Sequence, residues 1–238
     1  METFDCIESR RSVRNYDKKN VPNEMIAEII TAGTYAPSAG NIQEWEFIIV
    51  RDQETKRKLS EASLKQSHVK NASAVIVILA NLEKIKEKYK ERGKQVYALQ
   101  DTAACVQNML LVAHDLGLGA CWIGAFDEDE VGNVVEIPDK FRVTAMITVG
   151  FPLPYEQQQK IDRIPFERLT WENRYGQEIK WFMDYGRKSR FEWKSLDQQI
   201  EELSRRLQKL MEERKDLKNK ESSLTSKLRN IFRKNNKL

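Results

Sequence analysis

The chain is short of the residues that build metal centres and disulfide frameworks: 238 residues include 3 cysteines and 2 histidines. Cys6, Cys105 and Cys121 are odd in number, far apart and form no CxxC pair. That excludes a disulfide framework and a cysteine-ligated zinc site, and it fits a reducing cytoplasm. His68 and His114 fall in no HExxH or other paired-ligand spacing, so no metal is expected. No GxGxxG occurs, so a dedicated dinucleotide-binding Rossmann domain is not expected. Long apolar runs are missing as well. The longest, residues 74–80, is far short of the ~20 residues that span a bilayer. Residues 1–14 are charged and hold no apolar secretory core, so a cytoplasmic location is expected.

Charge is what the chain has in quantity. Charged residues make up 32% and mean hydropathy is −0.63. The formal charge is only +4, but it is unevenly spread. Residues 187–238 carry 16 Lys+Arg against 8 Asp+Glu, and the rest of the chain carries 24 against 28. A basic tail on an acidic-leaning body predicts two structural units.

In the tail, Leu196, Leu203, Leu210, Leu217, Leu224 and Ile231 occupy d positions, and Ile200, Leu207 and Leu228 occupy a positions. Arg214 and Glu221 fill the two remaining a positions. An apolar seam of 4-3 spacing, sustained over about five heptads, predicts a coiled-coil helix. Its polar a residues weaken the middle of the seam and bear on register and partner number. The expected organisation is a body over 1–181, an aromatic-rich connector over 182–194, a coiled coil over 195–233 and a disordered end over 234–238. The aromatic run at 175–193 is expected to pack on the body or on a partner. The tail's acidic residues are interspersed and its apolar seam is narrow. Self-association or a protein partner is therefore expected, rather than nucleic acid or membrane.

The body mixes helix-like and strand-like segments. Residues 4–9, 24–31 (with Asn23 as N-cap), 54–64 and 96–116 read as helices. Residues 47–50, 74–80, 121–125 and 145–150 read as strands. The helix at 96–116 is apolar on too many sides for one stripe, which predicts burial in a core or a subunit interface. The elements lack a strict βαβ rhythm, so an α+β sandwich is expected.

Two segments carry chemistry. Arg10, Ser12 and Arg14 have i, i+2, i+4 spacing, which places them on one face of an extended segment. Two guanidinium groups and a hydroxyl suit a phosphate, although a solvated basic turn has the same composition. The second segment runs from Pro37 and Ser38 through Asn41 and Gln43 to Trp45. Its small residues let a flat ligand approach the backbone, and its amides match the mixed edge of a uracil-like ring. An ordinary loop with a core tryptophan reads the same way.

Taken together, these motifs resemble the nitroreductase family. Arg10, Ser12 and Arg14 match its opening Arg-x-Ser-x-Arg/Lys pattern, and Pro37, Ser38, Asn41, Gln43 and Trp45 match its Pro-Ser-small-x-Asn-x-Gln-x-Trp pattern. The Gly-rich segment 117–126 and the Gly150-Phe151-Pro152 turn, followed by Lys160 and Arg163, occur in the same order. The resemblance covers roughly residues 1–176. One departure is Glu44, where a proline is common, and the tail after about Trp181 is another.

The resemblance implies a three-layer α+β sandwich, with a mainly antiparallel central sheet flanked by helices. It implies FMN as cofactor and NADH or NADPH as hydride donor, in an oxidoreductase acting on a quinone, a nitro compound or another small acceptor by ping-pong kinetics. Arg10 and Arg163 would hold the FMN phosphate, with Ser12 and Lys160 beside it, and Arg14 would lie nearer the ring. Pro37, Ser38, Asn41 and Gln43 would line one side of the ring. Gln66 would add an amide contact, and the backbone of Gly124 and Ala125 would face flavin N5. No side-chain nucleophile is required, because the flavin carries the chemistry. A homodimer with FMN at its interface is implied. The competing expectation is an interaction protein that uses its basic coiled coil to oligomerise or recruit a partner.

Overall fold

The computed structural model describes residues 1–153, 162–179 and Ser204. The chain divides into two compact units, with the division between Gln158 and Gln159. Lys160, residues 182–194, the predicted coiled coil over 195–233 (apart from the single position 204) and residues 234–238 lie outside the described residues.

The first unit is built around one antiparallel sheet of four strands, in the order β1-β2-β4-β3. The strands are β1 (Trp45–Val50), β2 (Ala74–Asn81), β3 (Gly119–Ile123) and β4 (Phe141–Gly150). The helices are α1 (Thr3–Ser9), α2 (Asn23–Thr34), α3 (Gln53–Ala62), α4 (Ser67–Asn71), α5 (Leu82–Arg92), α6 (Ala98–Asp115) and α7 (Glu128–Val134).

Strand alternation sorts the core. In β2, Ala74, Ile76 and Ile78 face one cluster, while Val75, Val77 and Leu79 face another. The β2 strand is buried on both faces, so its sequence is an unbroken apolar run. The first cluster adds Ile26 and Ile29 from α2, and Cys105, Val106, Met109 and Leu110 from α6. The second adds Leu59 from α3, Val69 from α4 and Val131 from α7. The result is the helix-flanked antiparallel sheet expected from the sequence. A bulge lies between Ile78 and Leu79 where β2 meets β4. It lets Val143 and Met146, an odd spacing, share one face.

The α6 helix is the long helix expected at 96–116, shortened to Ala98–Asp115, and few of its positions are exposed. It approaches α2 closely at Gly33, where an added Cβ would lie 2.8 Å from Cys105 Sγ and from Met109 Cγ. The expected Asn23 cap does not form. Asn23 is already inside α2, Pro22 precedes it, and the Asn23 amide oxygen accepts from Arg51 at 3.0 Å. Proline's fixed φ starts the helix without a side-chain cap. Asp52 and Asn81 do cap α3 and α5, accepting from Thr55 N–H at 2.7 Å and Lys84 N–H at 3.2 Å.

In the second unit, Trp171 bridges Glu178, and the Trp171 and Tyr175 rings lie 5.3 Å apart. Tyr175 is exposed.

An added Cβ on Gly119 would lie 2.6 Å from Val13 Cγ1 and 2.8 Å from Val13 Cβ. Gly119→Ala is therefore expected to cost about 1–3 kcal/mol by overpacking. Urea unfolding checks it, and an unchanged midpoint would contradict the close approach.

Candidate functional site

The α1 helix ends at Arg10, whose backbone N–H donates to Cys6 O at 3.0 Å. The chain then runs extended along the β3 edge. Ser12 forms a parallel bridge with Ala120, and Val13 N–H donates to Ala120 O at 3.0 Å. Val13 is buried, whereas Ser12 and Arg14 are exposed. That is the alternation an extended segment imposes. Tyr16 locks the segment from below: its hydroxyl donates to Val13 O at 2.6 Å and lies 2.7 Å from Thr148 Oγ1.

Arg10, Ser12 and Arg14 bear on one point of β3. Burial pushes the Cys121 thiol up, while Arg14, then Ser12 and Arg10, act against that rise. Arg14 also faces α4. Burial depresses His68, and the Arg14 charge depresses it further. His68 Nε2 is buried with no hydrogen-bond partner among the described residues. Gln66, just before α4, donates from Nε2 to Ala125 O at 3.0 Å. A Cβ added to neighbouring Gly124 would meet only Trp122 Nε1, at 3.8 Å, so the space beside this backbone is open. Sequence reasoning grouped Arg10, Ser12 and Arg14, but it did not single out His68, whose motif-free position gave no signal.

The other candidate residues form a separate loop. Pro37, Asn41 and Gln43 are exposed and Ser38 is half-buried. Gly40, Asn41 and Gln43 have φ of 57°, 58° and 53°. Left-handed backbone at two non-glycine residues is costly unless other contacts hold it. Here they do. Ser38 Oγ accepts from Gln43 N–H at 3.0 Å, and Gln43 Nε2 donates to Asn41 Oδ1 at 3.1 Å. Lys84 of α5 donates to Gln43 O at 2.8 Å, and Ala39 N–H donates to Asp101 Oδ2 of α6 at 2.8 Å. The φ of Gly40 favours glycine there, and the space beside it is taken by the movable ends of Lys88 and Tyr89.

Two independent measures set the loop apart from the arginine corner. The loop leads into Trp45, which pairs with Ala80 on β2, at one edge of the sheet. Ser12 pairs with Ala120 on β3 at the other edge, level with Val149 and so with Ala74. Six residues along β2 are ~20 Å, and three strand spacings add ~14 Å across the sheet. On α6, Ala39 contacts Asp101, while Ser9 Oγ lies 2.8 Å from His114 Nε2. Thirteen helical residues separate those contacts by ~20 Å. The structure therefore brings Arg10, Ser12 and Arg14 together with the Gln66, Gly124 and Ala125 side, and holds Pro37, Ser38, Asn41 and Gln43 at the opposite corner. Arg163 is exposed in the second unit.

Behind the loop is an acid that sequence reasoning placed near the site without foreseeing its burial. Glu44 is 1% exposed, and neither carboxylate oxygen has a hydrogen-bond partner among the described residues. Burial pushes its pKa up to about 7, and the neighbouring Asp101 carboxyl adds to the rise. Its own backbone N–H and the Lys84 charge oppose this less strongly.

The chain matches the nitroreductase family model over residues 7–74 and 63–151. It is 34% identical over 178 residues to an Archaeoglobus fulgidus protein whose name proposes an NADH dehydrogenase/NAD(P)H nitroreductase, with 71% of this chain and 99% of that protein covered. It is 27% identical over 186 residues to a Bacillus subtilis protein named FMN reductase (NADPH), covering 73% of this chain and 74% of the other. Among solved structures, a Clostridium acetobutylicum protein whose name proposes an NADH oxidase has 38% identity and a TM-score of 0.62, covering 71% of this chain and all of that one. With the arginine corner, the loop and the helix-flanked sheet in the family's order, this chain belongs to the nitroreductase family.

Folding raises the proton affinity of Glu44, so its stabilisation is complete below the ordinary glutamate range and is lost as pH rises through about 7. The urea midpoint is expected to fall across that interval, and Glu44→Gln is expected to flatten the fall. An identical slope in the variant would contradict the assignment.

Proposed function

We propose that the protein is an FMN-dependent NAD(P)H oxidoreductase that reduces a quinone, a nitro compound or another small acceptor. The observation that carries this reading is the convergence of Arg10, Ser12 and Arg14 at the β3 edge, beside an open backbone at Gly124 and an orphaned buried nitrogen on His68. Fixed cations and a hydroxyl suit a phosphate, and a side chain-free backbone suits the approach of a flat ring. The relatives' names speak of NAD(P)H and FMN, which favours an enzyme over a scaffold.

In this reading Arg10 and Ser12 hold the FMN phosphate. Arg14 supplies a fixed positive charge near the ring, which favours its reduction. The backbone of Gly124 and Ala125, braced by Gln66, faces the reactive edge. Pro37, Ser38, Asn41 and Gln43 line the other side. Bound FMN supplies hydride acceptance and donation, so donor and acceptor use one place in turn and the kinetics are ping-pong. The protein's part is to bind, to orient and to place charge.

The loop and the arginine corner of one chain are diagonally opposed on the sheet, so one chain does not bring both to one ring. A homodimer does, when a twofold axis sets the loop of each protomer against the arginine corner of its partner. The exposed apolar side chains Phe4, Ile7, Tyr35 and Leu99 are available for such a contact.

The purified protein is expected to take up FMN, and anaerobic NADH or NADPH is expected to bleach the bound flavin. A protein that cannot be reconstituted with FMN would sink the reading. Arg10→Ala is expected to weaken FMN binding about tenfold or more, from the ~1.5–3 kcal/mol of a charged hydrogen bond. Mixing Arg10→Ala with Gln43→Ala protomers is expected to restore one intact site per heterodimer. Absence of any recovery in a verified heterodimer would contradict the two-chain site.

A further inference from the structure

Resting on the FMN reading above, we propose that the buried Glu44 carboxyl keeps its proton toward the neighbouring Asp101, and that the two side chains together position the 38–43 half of the flavin site. The pair works through backbone. Asp101 Oδ2 accepts the Ala39 N–H at 2.8 Å, and Glu44 immediately follows Gln43, whose carbonyl is held by Lys84 at 2.8 Å. The loop is thus anchored to Asp101 at Ala39 and runs directly into Glu44 after Gln43.

Burial without a partner favours the protonated form of Glu44. Both Glu44 oxygens are buried with no donor among the described residues, and the charged groups that act on the side chain are Asp101 from α6 and Lys84 from α5. Lys84 directs its ammonium to the Gln43 carbonyl, so it does not neutralise Glu44 by contact. A buried carboxyl beside a second acidic group holds its proton more tightly than one in water. In its protonated form Glu44 is a donor toward Asp101, which remains an acceptor for Ala39. Removing that proton sets like charges against each other, and the separation that relieves them pulls on Ala39 from one side and on Gln43 from the other.

The loop is held by Ser38 Oγ on the Gln43 N–H, Lys84 on the Gln43 carbonyl and Asp101 on the Ala39 N–H, and the last of these is the anchor next to Glu44. Asn41 and Gln43 sit in left-handed backbone, so relaxation of the loop away from that conformation is downhill once the anchors loosen. Loss of the proton is therefore expected to weaken FMN binding as pH rises through neutrality. The sign is diagnostic. The second ionisation of a phosphate, near ~6, makes FMN more anionic over the same interval and would strengthen its binding to arginine.

The test uses the full chain. FMN affinity is measured by quenching of flavin fluorescence from about pH 5.5 to about pH 8.5, alongside the thermal midpoint of the FMN-free protein. Wild type is expected to lose about fivefold or more in affinity across the interval. Glu44→Gln, which keeps a neutral donor toward Asp101, is expected to retain the low-pH affinity throughout. A variant with the wild-type profile overturns the proposal. Wild type that binds no FMN at any pH overturns the flavin reading and this proposal with it. That outcome is distinct from normal binding with no Glu44-dependent slope, which overturns the pair alone. If Glu44→Gln does not fold, wild type answers by infrared spectroscopy. The carbonyl band of a buried protonated acid must be present at low pH and must disappear with the midpoint of the affinity loss. No band, or a different midpoint, overturns the proposal.

Discussion

One helix spans the distance between the two groups of candidate ligands. The α6 helix carries Asp101 beneath the 38–43 loop and, thirteen residues later, His114 beside Ser9 at the end of α1. Its core side is filled by Cys105, Val106, Met109 and Leu110, and α2 closes over it at Gly33. A helix this deeply packed neither bends nor slides at small cost, because interior contacts tolerate little change in volume. The spacing of the two half-sites is therefore a property of the core, not of the loops. The homodimer reading follows from that rigidity: what one core keeps apart, a second copy must bring together.

The sheet supplies the complementary constraint. At the β3 edge, strand pairing fixes which side chains of residues 10–14 point outward, since a shift of one residue would exchange Val13 for Arg14. Tyr16 and Gly119 hold that register from two sides, one by hydrogen bonds and one by leaving room for Val13. At the β1 edge, the strand begins only after a loop of left-handed residues whose amides bind each other. The two halves thus differ in character. One is locked by strand pairing, and the other hangs from side chains, one of which is the Asp101 carboxyl.

Much of the architecture was legible before any coordinates. An uninterrupted apolar run predicts a doubly buried strand, and 74–80 is one. An over-apolar helix predicts deep burial, and α6 has it. Local chemistry was the weaker guide wherever tertiary contacts competed with it. Asn23 has the composition of a cap, yet it lies past a proline and bonds Arg51. Glu44 has the composition of a surface acid, yet its place between two core-facing elements buries it. Nothing in a single sequence reports that Asp101 faces it across 57 positions.

The sequence by itself determined the alternation of elements and the pairing of two arginines with a serine on one extended face. These depend on spacing of 2 or 3.6 residues, which neighbours in the chain decide. Only the tertiary structure decided that the arginine corner and the amide loop lie at opposite corners, and that a glutamate beside the loop meets an aspartate in a dry site. Those facts depend on strand order and helix packing, which bring together residues far apart in sequence and exclude the water that would otherwise favour the ionised form of Glu44.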